Sequence, residues 1–107
     1  MEFQSQSAKI ISIIEKIIPL LRMSDTTDAQ YYMRFLEFTL TQLNKPHELY
    51  KIAENVSKAY NGMCTFSDVS LYLNFVPLIE EHDKFDDLRE ELFLACQDVI
   101  IAQRNAH

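Results

Sequence analysis

Residues 80–91 read EEHDKFDDLREE and place seven carboxylates and two cations in twelve consecutive positions. Carboxylates at this density could hold a metal ion, work in pairs as general acid and base, or attract a positively charged partner. Phe85 and Leu88 interrupt the run, so the segment also carries apolar side chains that can pack against a core. The rest of the chain decides among these three kinds of chemistry.

The negative charge of the chain is concentrated in one segment. The net charge is −6, and residues 80–98 hold eight acidic side chains against two basic ones, which accounts for all of it. A local negative field steers cationic partners, and it disfavours nucleic acid as a direct ligand because phosphate binding requires positive charge. The candidate partner-binding residues are Glu80, Glu81, Asp83, Asp86, Asp87, Glu90 and Glu91.

The spacing of possible metal ligands gives little support to a metal site. His47, His82 and His107 are scattered, and no HExxH or Glu-x-x-His pair is present. The DKFDD stretch lacks the glycine and the oxygen-ligand spacing of a calcium loop. We therefore expect neither a metal nor any other cofactor.

Nucleophilic and acid–base catalysis also lack a motif. Cys64 and the serines have no nucleophile motif around them, and carboxylates on an exposed helix face stay too solvated for acid–base work. Cys64 and Cys96 are far apart, which predicts two free thiols, one buried and one in a loop, with a disulfide or a reactive thiol as the alternative. We expect no enzyme activity, and a small metal-dependent hydrolase is the enzyme-class alternative.

Length and composition predict one globular domain over residues 1–107. The chain is 48% hydrophobic, which is enough material for a single core. No signal-peptide pattern opens the sequence, and the isoleucine-rich run over 10–21 is too short and too often interrupted by charge to cross a bilayer. We expect a cytoplasmic protein without a membrane partner.

A single glycine and three prolines favour helices over a turn-rich sheet. The apolar spacing predicts a first helix over 5–22, with Pro19 on its outer face, and a second helix that ends near Asn44. The candidate N-caps of the second helix are Ser24, Asp25 and Thr27.

Pro46 fits the first turn of a third helix, and Asn61-Gly62 fits the end of that helix. Residues 62–77 could contain a short helical turn capped by Ser67 or Asp68, or an extended segment, and Pro77 argues against regular structure at its own position. A last helix is predicted from about 78–83 to 103. Its inward seam has alternating spacings of three and four, at Phe85, Leu88, Leu92, Ala95, Val99 and Ala102.

These elements predict an all-α, single-domain antiparallel bundle of four to five helices, with a short irregular or extended insert around 62–77. Some aromatic residues cannot all face the core of such a bundle. Tyr31 and Tyr32 are adjacent on one helix, and Tyr72 and Phe75 cannot easily share a face with Leu71. They either complete a small core or form part of an interface.

The stretch YNGMCTFSDVSL, followed later by DLREELFLAC, resembles a family of small helical bacterial proteins. That family has a fingerprint of the form Gly-Met-Gly-Ser-Phe-Asn-Asp-Leu and a Leu-Arg-x-x-Leu pattern in its last helix. Gly62, Met63, Phe66 and Asp68 match the fingerprint, whereas Cys64 replaces a glycine. The resemblance covers residues 60–95, and it implies architectural roles, with Gly62 turning the chain, Phe66 packing and Asp68 capping.

Members of this family resemble immunity proteins of polymorphic toxin systems, including contact-dependent growth inhibition. The resemblance therefore implies a cognate toxin domain as the partner, with a basic nuclease as the expected class. The alternative is an acidic nucleic-acid mimic, encoded by a phage or a plasmid, that inhibits a host nuclease. Both functions use the same electrostatics, because the cleft of a nuclease is basic.

Overall fold

The computed structural model describes residues 2–43, 49–60 and 65–105. Within them lie four α-helices, α1 (Glu2–Met23), α2 (Thr27–Gln42), α3 (Leu49–Lys58) and α4 (Ile79–Asn105). A 3₁₀ turn (Phe66–Asp68) and an antiparallel hairpin of β1 (Tyr72–Leu73) and β2 (Val76–Pro77) come before α4. The predicted helical bundle with a short insert before its last helix is confirmed.

The isoleucine-rich face of α1 forms one wall of the core. Apolar residues recur there at spacings of three and four, which place them on one side of a helix. The buried members are Ile10, Ile13, Ile14, Ile17, Ile18 and Leu21. Pro19 is exposed, as predicted, and α1 continues past it to Met23.

The long α4 is the element on which the bundle is assembled. It packs against both α1 and α3, and α1 packs in turn against α2. With 27 residues it extends for about 40 Å at the usual rise of a helix. The largest fully buried side chains of the core are Phe66 and Phe85, which come from the 3₁₀ turn and from α4.

The predicted seam of α4 is largely present and is wider than expected. Phe85, Leu92, Ala95 and Val99 are buried, and the other two predicted members are half-buried. The seam widens on one side by three further buried residues, Arg89, Cys96 and Ile100. Burial raises the pKa of the Cys96 thiol to about 12, so this thiol stays neutral and unreactive at neutral pH. Cys64 lies outside the described residues.

Thr26 is the N-cap of α2, so the three candidate caps were wrong. The Ala29 N–H donates to Thr26 Oγ1 at 3.2 Å. Ser24 and Asp25 are not available as caps because they bind the hairpin instead. The helix ends at Gln42, and the predicted position of Pro46 in the first turn of α3 lies outside the described residues.

The insert is a hairpin with a two-residue loop. Leu73 pairs with Val76, which leaves Asn74 and Phe75 as the loop, and both have positive φ, 53° and 68°. Two positive φ angles are the requirement of the type I′ turn that matches the twist of a hairpin. Asparagine tolerates this geometry, but a phenylalanine there is unusual.

Pro77 lies inside β2, paired with Tyr72, so the expectation that it excludes regular structure was wrong. Both strands of a two-stranded hairpin are edge strands, and an edge strand tolerates the missing N–H of proline. The next residue closes the hairpin, because the Leu78 N–H donates to the carbonyl of Leu71 at 3.0 Å.

Across the described parts of the chain, none of the helices combines the length and apolarity needed to cross a lipid bilayer.

Replacing Phe75 by glycine is expected to stabilise the fold by about 0.5–1 kcal/mol. A non-glycine residue in left-handed geometry costs roughly 1–2 kcal/mol, and the greater freedom of glycine in the unfolded chain offsets about 0.5–1 kcal/mol of the gain. The Phe75 side chain is 99% exposed, so its removal loses no packing. Thermal unfolding followed by circular dichroism should show a Tm higher by about 2–6 °C.

The matched control is Asn74→Gly at the neighbouring loop position. Asparagine already tolerates left-handed geometry, so its replacement should raise the Tm by less than the Phe75 variant does. A lower Tm for Phe75→Gly would show that the turn is not strained at this residue.

Candidate functional site

Five carboxylates project from the solvent-facing side of α4, opposite the side that carries Phe85 and Leu92. We call them the acidic face, and they are Glu80, Asp83, Asp87, Glu90 and Glu91, all exposed. None of the five forms a salt bridge with another described residue. Like charges three or four residues apart repel by a few tenths of a kcal/mol, so the packed side of α4 must stabilise the helix against its own acidic face.

Two predicted members of the acidic cluster are placed differently. The Asp86 carboxylate accepts a hydrogen bond from Arg89 Nη2 and lies 3.3 Å from His82 Nε2. Glu81 is half-buried, one turn before the buried Phe85. The structure therefore brings five of the seven predicted carboxylates together as a freely exposed group, and Asp86 is engaged within the molecule.

Arg89 is buried, although the sequence placed it among the cations of the acidic segment and within the Leu-Arg-x-x-Leu pattern, and its burial was not predicted. Its Nη1 donates to the carbonyls of Phe66 and Val69 at 2.7 and 3.0 Å, and its guanidinium lies 4.2 Å from the centre of the Phe85 ring. Charged donors on backbone carbonyls are among the stronger protein hydrogen bonds, and the stacked ring adds a cation–π contact. Arg89 therefore ties the 3₁₀ turn to α4.

The burial of Arg89 also changes the electrostatics outside the core. Residues 80–98 carry two cations, Lys84 and Arg89, and the second is directed inward toward backbone carbonyls. One of the two charges that could neutralise the acidic face therefore lies on the opposite side of the helix. Because Arg89 is paired with Asp86, the remaining charged groups of residues 80–98 are seven carboxylates and Lys84, so their net charge is still −6 and only one cation remains beside the acidic face.

Aromatic rings surround Arg89 and make this end of α4 rigid. Phe66 lies between Tyr60 and Phe85, with ring centroids 5.2 and 5.6 Å apart. The Tyr60 hydroxyl donates to the carbonyl of Arg89 at 2.6 Å, and burial raises the pKa of that phenol far above its ordinary value. Edge-to-face packing of this kind holds the N-terminal half of α4 at a defined angle.

The hairpin is held against the α1–α2 connection by hydrogen bonds from Ser24 and Asp25. Ser24 Oγ donates to the Tyr72 carbonyl at 3.0 Å and accepts from the Tyr72 N–H at 3.1 Å. The Asp25 N–H donates to the same carbonyl at 2.9 Å, and the Asp25 carboxylate accepts from the Asn74 N–H at 2.9 Å. A hairpin whose strands have only two residues each would not be stable alone. These hydrogen bonds therefore stabilise it and fix its position.

Exposed apolar side chains cover the hairpin and the start of α4. We call them the hairpin patch, and they are Tyr72, Leu73, Phe75, Val76 and Ile79. The patch adjoins the acidic face, because a depression of about 170 Å³ between the hairpin and α4 is lined by Tyr72, Ile79 and Asp83 among others. The aromatic pattern had indicated that Tyr72 and Phe75 could form an interface, but not that they lie beside the carboxylates.

The residues matched to the fingerprint are only partly described. Gly62 and Met63 lie outside the described residues. Phe66 is buried in the core, and the Thr65 N–H donates to the Asp68 carboxylate at 3.3 Å, at the start of the 3₁₀ turn. Phe66 therefore packs as expected. The N-cap of the turn is Thr65, so the expectation that Ser67 or Asp68 is the cap was wrong, and Asp68 instead takes the third position of the turn and accepts from the N–H of the cap.

The described residues contain no group of three or more His, Cys, Asp or Glu side chains placed to hold a metal ion. His82 and Asp83 line the depression beside the hairpin, together with mostly apolar residues. The arrangement offers an extended charged and apolar surface, which suits the binding of another protein better than the binding of a small molecule.

No family model, curated protein or solved structure matches this chain.

Replacing Arg89 by methionine is expected to lower the free energy of unfolding by about 3–5 kcal/mol. Methionine fills similar space, but it leaves the carbonyls of Phe66 and Val69 without their donor. Urea denaturation monitored by circular dichroism measures the loss.

The control is Asp86→Asn, which removes the charge partner of Arg89 at a side chain that is 49% exposed. A partly exposed pair contributes little, so this variant should lose less than about 1 kcal/mol. If both variants lose the same free energy of unfolding, Arg89 stabilises the fold through its ion pair with Asp86 and not through its hydrogen bonds to the carbonyls.

Proposed function

We propose that this chain is a cytoplasmic immunity protein without catalytic activity of its own. It binds a cognate toxin domain, with a nuclease as the expected class, and it blocks the surface on which the toxin binds its substrate. The observation that carries the proposal is the acidic face, five exposed carboxylates on one rigid helix with no intramolecular cation bound to them among the described residues. The resemblance of residues 60–95 to immunity proteins supports the same conclusion.

The charge of the acidic face is complementary to the cleft of a nuclease. Such clefts are lined by cations that bind phosphate groups, so a row of carboxylates can occupy the positions that phosphates would take. The face extends over three turns of α4, from Glu80 to Glu91, which is about 17 Å along the helix axis. A helix of this length can cover a substrate-binding groove.

A rigid acidic helix is suited to fast association. Complementary fields raise association rates by 10- to about 1000-fold at low salt, because they orient the partners before contact. An immunity protein benefits from speed, since a toxin has to be captured before it reaches its substrate. The packing of α4 on α1 and α3 keeps the carboxylates aligned, so little ordering is needed on binding.

The first experiment is co-purification with the product of the gene directly upstream, which the proposal predicts to encode the toxin domain. Immunity function requires a stable complex and protection of cells that express the toxin. Failure of the wild-type chain to bind or protect would reject the proposal.

Reversal of Asp83, Asp87 and Glu90 to lysine is expected to slow association with the upstream toxin domain by about 10- to 100-fold. The dependence of the association rate on salt should flatten, because the steering field is lost. Stopped-flow mixing at two or more salt concentrations measures both effects.

The matched control carries the same charge change on the other helices, as Glu15, Glu37 and Glu54 to lysine, which lie on α1, α2 and α3. This control has the same net charge as the first variant but keeps the acidic face intact. It should therefore slow association much less. If both triple variants associate at the same rate, net charge alone drives binding and the acidic face has no special role.

A further inference from the structure

The most exposed large apolar side chain among the described residues is at the tip of the hairpin. Phe75 is 99% exposed, and its neighbours Val76 and Ile79 are 61% and 69% exposed. Single exposed apolar residues are common, but a cluster of them at a projecting tip is typical of an interaction site. Aromatic residues in particular anchor protein interfaces.

The backbone at Phe75 is the least suitable place in the hairpin for a large side chain. Its φ of 68° favours glycine, and the preceding Asn74 is a residue that accepts positive φ more readily. Strain of this kind persists where surrounding structure imposes it, and it is found preferentially at functional sites. The chain therefore has a strained phenylalanine where glycine would be more stable, and the side chain makes no packing contribution to its own fold.

The hairpin tip is rigid before any partner binds. The Asn74 N–H donates to the Asp25 carboxylate at 2.9 Å, and Ser24 forms two hydrogen bonds with Tyr72 at the base of the loop. A loop backbone held in place in the free protein loses little conformational entropy on binding. The backbone that presents Phe75 is therefore preorganised.

The charge around the hairpin identifies the chemistry of its partner. Residues 65–83 contain four carboxylates and no lysine or arginine, and Asp83 lines the depression beside Tyr72 and Ile79. An anionic lipid surface or a second copy of this acidic chain would be repelled there. A basic protein with an apolar pocket beside its cationic surface is complementary in both respects.

We propose that the β1–β2 hairpin is the anchor of the complex and that Phe75 enters an apolar pocket of the toxin domain, next to the cationic surface met by the acidic face. This inference rests on the proposed function, and it assigns the two surfaces different roles. The acidic face sets the rate of association, and Phe75 sets the rate of dissociation.

The test compares Phe75→Ala and Phe75→Gly with the wild-type chain by surface plasmon resonance against the upstream toxin domain. Both variants should dissociate about 10- to 100-fold faster, with association rates within about twofold of wild type, as for the loss of an interface anchor. The glycine variant should also have the higher Tm, so faster dissociation cannot be attributed to loss of folding. The matched control is Phe38→Ala, which removes a 60% exposed phenylalanine from α2 and should leave dissociation unchanged.

The possible outcomes separate the inference from the function on which it rests. Wild-type dissociation rates for both Phe75 variants would overturn the anchor while leaving immunity function in place. Failure of the wild-type chain to bind the toxin domain would overturn the proposed function, and the anchor with it. A Phe75-dependent dimer in analytical ultracentrifugation, or Phe75-dependent sedimentation with phosphatidylglycerol vesicles, would assign the hairpin to a second copy or to a membrane and would also overturn the anchor.

Discussion

The placement of the hairpin and of the acidic face depends on one buried cation. Arg89 lies inside the bundle, and its guanidinium donates to the carbonyls of Phe66 and Val69. These bonds join a segment with little regular structure to the longest helix, and the stack on Phe85 keeps the guanidinium in place. Because the segment that leads into the hairpin is bonded to α4, the hairpin emerges beside the first turns of that helix, where the carboxylates begin.

The same interaction shapes the surface. A buried arginine is normally compensated, and here the compensation comes from two carbonyls and the Asp86 carboxylate. Asp86 is therefore turned toward the molecule, while its neighbours Asp83, Asp87 and Glu90 remain exposed on the outward side. Because Arg89 is buried, the exposed surface of this part of α4 is more uniformly negative. It lies next to the hairpin patch, whose apolar residues are not part of the core. Long-range attraction and short-range apolar contact are thus available side by side, a combination that suits fast and tight protein association.

Stability and the proposed role in recognition make opposite demands at the hairpin. A two-stranded hairpin is marginal by itself, and this one depends on the hydrogen bonds of Ser24 and Asp25. The loop adds strain through the positive φ of Phe75 and places its ring in solvent. The helical core therefore stabilises a projection that would not form alone, and rigidity at the tip is obtained through contacts elsewhere in the chain.

The sequence by itself determined the helices and the two-sided nature of α4. Periodic apolar residues are a local property, so the isoleucine face of α1 and the 3,4,3,4 spacing from Phe85 could be read directly. Arg89 lies four residues after Phe85 and three before Leu92, which places it within the apolar stripe. This spacing predicts a buried side chain, whereas the charge of arginine predicts an exposed one. Only the tertiary structure decided that Arg89 turns inward, that the Ser24 hydroxyl and the Asp25 carboxylate bind the hairpin and do not cap α2, and that Phe75 is exposed beside the carboxylates. The first two depend on hydrogen bonds between residues far apart in the chain. The exposure of Phe75 depends on the absence of any packing contact with its side chain among the described residues.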